Sequence, residues 1–476
     1  MKQDLVPTVG LETHVQLNTQ SKIWCACSTA FGCPPNTNVC PVCLGYPGAL
    51  PVLNEEAIRK TVISGLLLEC EINLRSKHDR KSYFYPDMPK NYQITQFDQP
   101  ICLGGGVDIE VDGVKKRIRL NRIHLEEDVG KNTHYDSGSG VDYNRAGTPL
   151  MEIVTEPDIA SAEEAFAYLV ALKQILSYGG VSGCNLEQGN MRCDVNSSVA
   201  PRGSDTLGVK TEIKNMNTFK GVRDALAHEI KRQIREVKAG GVIRQETRRW
   251  DDLAGQTASM RAKEYAHDYR YFPDPDLMPI VLTTEKVDAI RASLPELPAA
   301  RRARYVSDLG LPEYDAGVLV ANKAVADFFE ATVEISGNAK TCSNFIMGEL
   351  MRLLNEREVE LADTKLTPES LAGLVMLFNG KKVNNQGAKA IFEKIFDEGG
   401  DPAAIAQAED LVVEAEDVIA PLIEQVIQEH AGPVADFKSG KAAALQFLVG
   451  QVMRLSRGKA NPQAVSEELA RKLSGK

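Results

Sequence analysis

The sequence predicts an α+β protein, with a mainly antiparallel sheet over roughly the first 290 residues and helices beyond it. Three observations lead there. The early segments alternate apolar and polar residues at the two-residue period of half-buried strands. Gly, Pro and Asn turns, rather than helices of one regular length, separate those segments, which argues against a doubly wound fold. Near "LPELPAARRARYVSDLGLP" the texture changes to helical periodicity.

In chain order, "TVGLETHVQL" places Val9, Leu11, Val15 and Leu17 on one side and Thr8, Glu12, His14 and Gln16 on the other. "VDIEVDGVKKRIRLNRIHL" reads as a hairpin turning at Asp112-Gly113. "TPLMEIVTEPD", "MRCDVNSSVA" and "GVKTEIKNMNT" read as further strands. Between them, "SAEEAFAYLVALKQILSYGG" is a helix capped by Ser161 and stopped at Gly179, and "FKGVRDALAHEIKRQIREVKAGG" is another. In the helical part, "TPESLAGLVMLFNG" carries Thr367 as cap, Pro368 in the first turn and Gly380 at the end. A second break falls at "DEGGDPAAIAQ". The expected domains are therefore 1–293, 294–405 and 406–476. "SYFYPDMP" and "DYRYFPDPDLMP" echo one another, through shared turn chemistry or duplication.

The net charge of −10 excludes a uniformly basic nucleic-acid binder. From Pro433 to Lys476, eight Lys or Arg against three Asp or Glu give a local +5, so the remainder carries −15. Such a tail is either a solvated helical surface or a contact for a polyanion. No apolar run is long enough to span a membrane, and "MKQDLVPTVG" lacks the pattern of a secretory signal, which predicts a cytoplasmic protein in which disulfides are rare.

That compartment bears on the cysteines. Cys25-Ala-Cys27 and Cys40-Pro-Val-Cys43 are two short pairs twelve residues apart, the spacing of a four-thiolate zinc knuckle, with Cys33 left over. The alternatives are reduced thiols or a catalytic nucleophile, for which a neighbouring His is missing.

The acids offer a second site. Glu12 and His14 share a strand face, and a mixed carboxylate–imidazole set suits Mg2+ or Mn2+. "HLEEDVGK" gathers His124, Glu126, Glu127 and Asp128, and "KTEIKN" sets Glu212 between Lys210 and Lys214, fit for metal on one side and phosphates on the other. Solvated strand edges are the competing explanation. "DRKSYFYPDMPKNYQITQFDQPI" mixes Arg80, Lys81 and Lys90 with Tyr83, Phe84, Tyr85 and Tyr92; this is either a surface for RNA ends or an aromatic loop packed on the core. There is no P-loop, kinase motif set, dinucleotide fingerprint or hydrolase elbow.

Taken together, "GLETHVQL", "PNTNVCPVCLGYPGALPVLN", "DRKSYFYPDMPKNYQITQFDQP", "HLEEDVGK", "NRAGTPLMEIVTEPD", "RCDVNSSV", "KTEIKNMN", "QETRRWDD", "DYRYFPDPDL" and "FLVGQVMRLSRGKANPQ" resemble, in order and over essentially the whole chain, the B subunits of the tRNA-dependent amidotransferases, the GatB family of GatCAB complexes. The resemblance implies a glutamine-synthetase-like cradle with a zinc knuckle, a helical domain and a small YqeY-like tail that grips tRNA. It implies an ATP- and Mg2+-dependent enzyme that converts Glu-tRNA(Gln) or Asp-tRNA(Asn) to the amide, with ammonia from the A subunit and a C subunit completing a heterotrimer. A zinc-containing tRNA-binding scaffold without its own chemistry is the alternative. By resemblance the metal ligands map to Glu12, His14, Glu127 and Glu212, with Glu126 the alternative to Glu127. Lys81 maps to an ammonia gate; the residues themselves put Lys210 and Lys214 by the nucleotide and structural zinc on Cys25, Cys27, Cys40 and Cys43, cysteines that members of the family can lack. Lys438, Lys441, Arg454, Arg457 and Lys459 are candidates for tRNA phosphate contacts.

Overall fold

The alternation of the first segment produces the strand Leu5–Gln16, which lies at the centre of a 10-stranded sheet. The computed structural model describes residues 4–186, 188–260, 266–413, 416–456, 460 and 462–474. On one side of the central strand run Met191–Pro201, Thr211–Lys214, Glu246–Asp251 and Gln256–Ser259. On the other run Pro149–Thr155, Val114–Glu127, Cys102–Leu103 and Glu71–Ile72, with Gly106–Val111 also paired to Val114–Glu127. Neighbours are antiparallel except Thr211–Lys214 with Glu246–Asp251. The predicted hairpin turns at Asp112 and Gly113, both at positive φ (52° and 77°), the geometry that favours an Asp-Gly pair.

One face of the sheet is dry. Val9, Leu11, Val15, Leu125, Met151, Val195 and Ile213 pack with residues of three helices, Glu55–Leu67, Ala162–Tyr178 and Phe219–Lys238. Each helix starts where a polar side chain satisfies an otherwise orphaned amide. Asn54 accepts from the Glu56 N–H, Ser161 from Glu164 and Thr218 from Gly221. Beside the large sheet, Tyr92–Thr95, Asp79–Ser82 and Phe272–Pro273 form a three-stranded sheet. The echoing segments meet here: the strand leading into the first, at Arg80, pairs with Phe272 of the second, and the Tyr83 and Tyr269 rings stand edge to face at 6.1 Å.

The chain divides into Met1–Leu297 and Pro298–Lys476. The second unit is helical and holds two hydrophobic cores. One runs from Tyr305 to Ala406 around Phe329 and Phe392; the other runs from Ile419 to Leu473 around Val426, Val452 and Leu469. The helix Pro368–Asn379 has Thr367 as its cap and Gly380 at its end, as the sequence predicts. Lys438, Lys441 and Arg454 are exposed, while Arg457 and Lys459 lie outside the described residues. No helix among the described residues is long and apolar enough to cross a membrane.

His78 is buried edge-on against Trp24, ring centroids 5.0 Å apart, and neither ring nitrogen has a hydrogen-bond partner. Burial outweighs the nearby Asp274 carboxylate and lowers its pKa to about 4, so the folded chain keeps the ring neutral while the unfolded chain takes up a proton near pH 6.5. Stability is therefore lost as pH falls from 6.5 toward 4. His78→Phe is expected to flatten that loss by about 2 kcal/mol. The check is the urea midpoint at pH 7 and pH 4.5, read by the fluorescence of Trp24 and Trp250, the only tryptophans.

Candidate active site

The other face of the sheet carries charge, and the pleat decides which residues share it. Register sets His14 opposite both Glu152 and Arg192, and Glu12 opposite Asp194. Glu152 also faces His124, one two-residue step from Glu126. On the far side Asn196 faces Glu212, which faces Thr247. Glu12, His14, His124, Glu126, Glu152, Asp194, Glu212 and Thr247 line a cleft of ≈ 460 Å3 with Lys81, Arg122, Lys214, Tyr269 and Tyr271, and Arg192 borders the adjoining surface.

Two groups of ligand atoms result. His14, Glu126 and Glu152 offer donors all within 4.8 Å of one another, and so do Glu12, Asp194 and Glu212. In the first group the His14 Nε2 stands 3.5 Å from Glu152 and 3.9 Å from Glu126, while His124 Nε2 lies 3.2 Å from Glu152 and 3.5 Å from Glu126. The Thr95 hydroxyl donates to Glu126 at 2.9 Å. In the second group, Asn196 donates to Glu12 at 2.9 Å, and Thr247 donates to Glu212 at 2.8 Å. Lys214 Nζ sits 2.8 Å from Asp194 and 3.5 Å from Glu212.

Electrostatics follow from this crowding. Burial disfavours charge on His124, but Glu152 and Glu126 outweigh it and lift its pKa to about 9. His14 is raised in the same way by Glu152, Glu126 and Asp194 against its own burial. Burial works against the Glu126 and Glu152 carboxylates too, yet the His124 and His14 rings hold both below the ordinary range. Lys214 is likewise held well above its ordinary value by Asp194 and Glu212 despite desolvation. A divalent cation entering either group takes over the role of these positive charges, and the oxygen-rich donor sets with one imidazole fit Mg2+ or Mn2+.

Glu12, His14, Glu126, Glu212, Lys81 and Lys214 all line the cleft. Glu127 does not. It follows Glu126 on a strand and so faces the other way, where its carboxylate takes Lys90 Nζ at 2.7 Å and the Ile94 N–H at 2.8 Å. Lys210 is exposed just ahead of Thr211–Lys214 and is not among the residues lining the cleft. Sequence reasoning missed Glu152 and Asp194, although each is the polar position of an alternating strand: Leu150-Glu152-Val154 and Arg192-Asp194-Asn196. Asp128, on the adjoining surface, is a buried node bonded to Arg145 at 2.6 Å, Arg192 at 2.7 Å and Gln16 at 2.5 Å. Burial is opposed by the two guanidinium groups, which hold its carboxyl far below the usual range.

The thiols of Cys25, Cys27, Cys40 and Cys43 also lie within 4.8 Å of one another, placed for a metal ion, and Cys33 is not among them. The Cys40 N–H donates to the Cys43 sulfur at 3.1 Å. The Cys25 thiol, that N–H and the Lys22 ammonium pull Cys43 down to about 4 against its burial. Four thiol donors at two tight turns fit a tetrahedral site.

Comparison with known proteins bears on the same residues. A family model described as GatB/GatE catalytic domain matches residues 7–288, and one described as GatB domain matches residues 327–473. Curated proteins named as the B subunit of aspartyl/glutamyl-tRNA(Asn/Gln) amidotransferase are similar end to end. That of Caldicellulosiruptor saccharolyticus is 50% identical over 471 residues, 98% of each chain. That of Thermoanaerobacter pseudethanolicus is 50% identical over 476 residues and all of both chains, and that of Geotalea uraniireducens 51% over 481 residues and all of both. The first match alone spans more than half of the chain, every ligand group described above lies inside it, and the chain belongs to the GatB family.

Proposed function

We propose that the chain is the B subunit of a glutamine-dependent tRNA amidotransferase and houses the ATP-dependent step. The substrates are Glu-tRNA(Gln), Asp-tRNA(Asn) or both, the A and C subunits complete the enzyme, and its place is the cytoplasm. The observation that carries the reading is the pair of acid-rich groups, His14/Glu126/Glu152 and Glu12/Asp194/Glu212, in one cleft. A scaffold that only binds tRNA has no need to concentrate five carboxylates on one sheet face.

A carboxylate is a poor electrophile, and an acyl phosphate has a leaving group. The tRNA-bound side-chain carboxylate attacks the γ-phosphorus of ATP and ADP departs. Ammonia then attacks the acyl carbon, phosphate leaves and a proton is released. Mg2+ or Mn2+ held by the two acid groups would bind the triphosphate and neutralise its charge. The chain's own cations, Lys214, Arg192 and Arg249, line the adjoining surface and face charge that develops on phosphoryl oxygens. Lys81, with Nζ 4.7 Å from the Tyr269 ring at the edge of the cleft, is the residue assigned to admit ammonia, a role supported by its resemblance to the family's gate position. The four-cysteine site holds structural zinc, and the tail, with Lys438, Lys441 and Arg454 exposed, contacts tRNA phosphates.

Glu126→Gln is expected to lower amide formation by the assembled complex at least about 100-fold at unchanged tRNA affinity. Glu127→Gln keeps the acid groups intact, so its loss should stay below about 10-fold and be accompanied by lower thermal stability. Full activity in Glu126→Gln would leave only the scaffold reading. Metal analysis of the reduced, purified chain should find about one zinc per chain, lost in Cys43→Ser and retained in Glu126→Gln.

A further inference from the structure

A second cleft opens beside the acid groups, and the phosphoryl chemistry leaves it unused. It has a volume of ≈ 640 Å3 and is lined by Lys81, Tyr83, Phe84, Tyr85, Tyr269 and Arg270, among others. Lys81 and Val129 line both this space and the surface that carries the acid groups, so the two adjoin. Phe84 is 80% exposed and Tyr85 46% exposed, although aromatic rings gain most from burial. Their exposure is built in rather than loose. The turn that carries them is tied by Met88 N–H to Tyr85 O, by Gly130 N–H to Asp87 O, and by the Tyr143 hydroxyl to Pro86 O at 2.7 Å. Arg270, across the cleft, has φ +46°, a conformation a bulky residue adopts only where its surroundings impose it, and one that concentrates at ligand sites.

The chemistry of the lining selects a class of ligand. Asp87 and Asp268 also border the space, which disfavours a phosphate and suits a base edge bearing an amino group. An open aromatic ledge with a guanidinium opposite is how proteins hold unstacked bases of single-stranded RNA. The adenine of ATP, by contrast, belongs to the small ligands that bury most of their surface in an enclosed pocket. Resting on the amidotransferase reading above, we infer that this cleft is the subsite for the 3′-terminal nucleobase of the charged tRNA, stacked on Phe84 with Arg270 across from it. Seating the base there lets the attached amino acid reach past Lys81 to the acid groups.

The test uses the assembled complex and charged tRNA carrying 2-aminopurine in place of the terminal adenine. Stacking on wild type quenches the fluorophore on binding. Phe84→Ala, a change at an exposed position that leaves the fold intact, should restore the emission and raise KM for charged tRNA roughly 10- to 100-fold, with kcat and KM for ATP unchanged. Phe84→Trp should keep both the quenching and the KM. The inference is overturned if Phe84→Ala leaves quenching and KM for tRNA as they were, or if KM for ATP rises instead. A wild-type complex that makes no amide would sink the functional reading, and the quenching comparison would still decide whether a terminal base binds here.

Discussion

The pleat of Leu5–Gln16 is the constraint on which the rest depends. Paired along both edges, the strand must send Val9, Leu11 and Val15 to one side and Glu12 and His14 to the other. Because its neighbours keep register, Glu152, Glu126, Asp194 and Glu212 arrive on the same side. Five carboxylates so close repel one another, and the fold tolerates them only with local compensation. Glu152 and Glu126 draw His124 and His14 toward the protonated form, Lys214 supplies a cation, and Thr95, Thr247 and Asn196 donate hydrogen bonds. The apolar residues buried under three helices on the opposite face stabilise the sheet that holds these charges together.

Much of this was legible in the sequence, because the period of two is a local property. The α+β class, the central strand, the hairpin at Asp112-Gly113 and the helix caps at Ser161 and Thr367 all follow from patterns within a few residues of one another. What the sequence leaves open is which alternating strands lie side by side, since the pairings that build the site join residues from 16 apart (Asn196 and Glu212) to 182 apart (Glu12 and Asp194). Glu152 and Asp194 became visible only through their pairings with His14 and Glu12. The sequence itself distinguishes Glu126 from Glu127. His124, the imidazole of the same motif, fixes which carboxylate shares its face, and the two-residue step selects Glu126.

The cysteine segment has a different logic. Between Thr19 and Asn54 the chain forms no helix or long strand, and only a few of its residues, such as Lys22, Ile23 and Trp24, are buried. Such a stretch buries little apolar surface of its own, and what gathers its two turns is the cluster of thiols of Cys25, Cys27, Cys40 and Cys43, placed for a metal ion. It also holds Lys22 inside, where Nζ donates to the Tyr143 carbonyl at 3.1 Å and lowers the charge cost at Cys43. Lys22, Cys25 and Cys43 share a cavity of ≈ 90 Å3 with Lys90, the partner of Glu127.

That link explains why a carboxylate on the face away from the ligands still matters to them. The three-stranded sheet that carries Lys81 is not part of the large sheet and needs its own attachment. Glu127 supplies it: one oxygen takes the Ile94 N–H, the other takes Lys90, and its carbonyl accepts from Gln93 Nε2 at 2.7 Å. Gln93 is the register partner of Lys81, and Thr95, two residues on, bonds Glu126. Adjacent glutamates thus divide the work by the pleat, Glu126 toward the acid groups of the cleft and Glu127 toward the segment that carries Lys81. A shift of that segment by one residue would exchange its two faces and turn Lys81 away from the cleft, so the buried charge at Glu127 acts as a register lock.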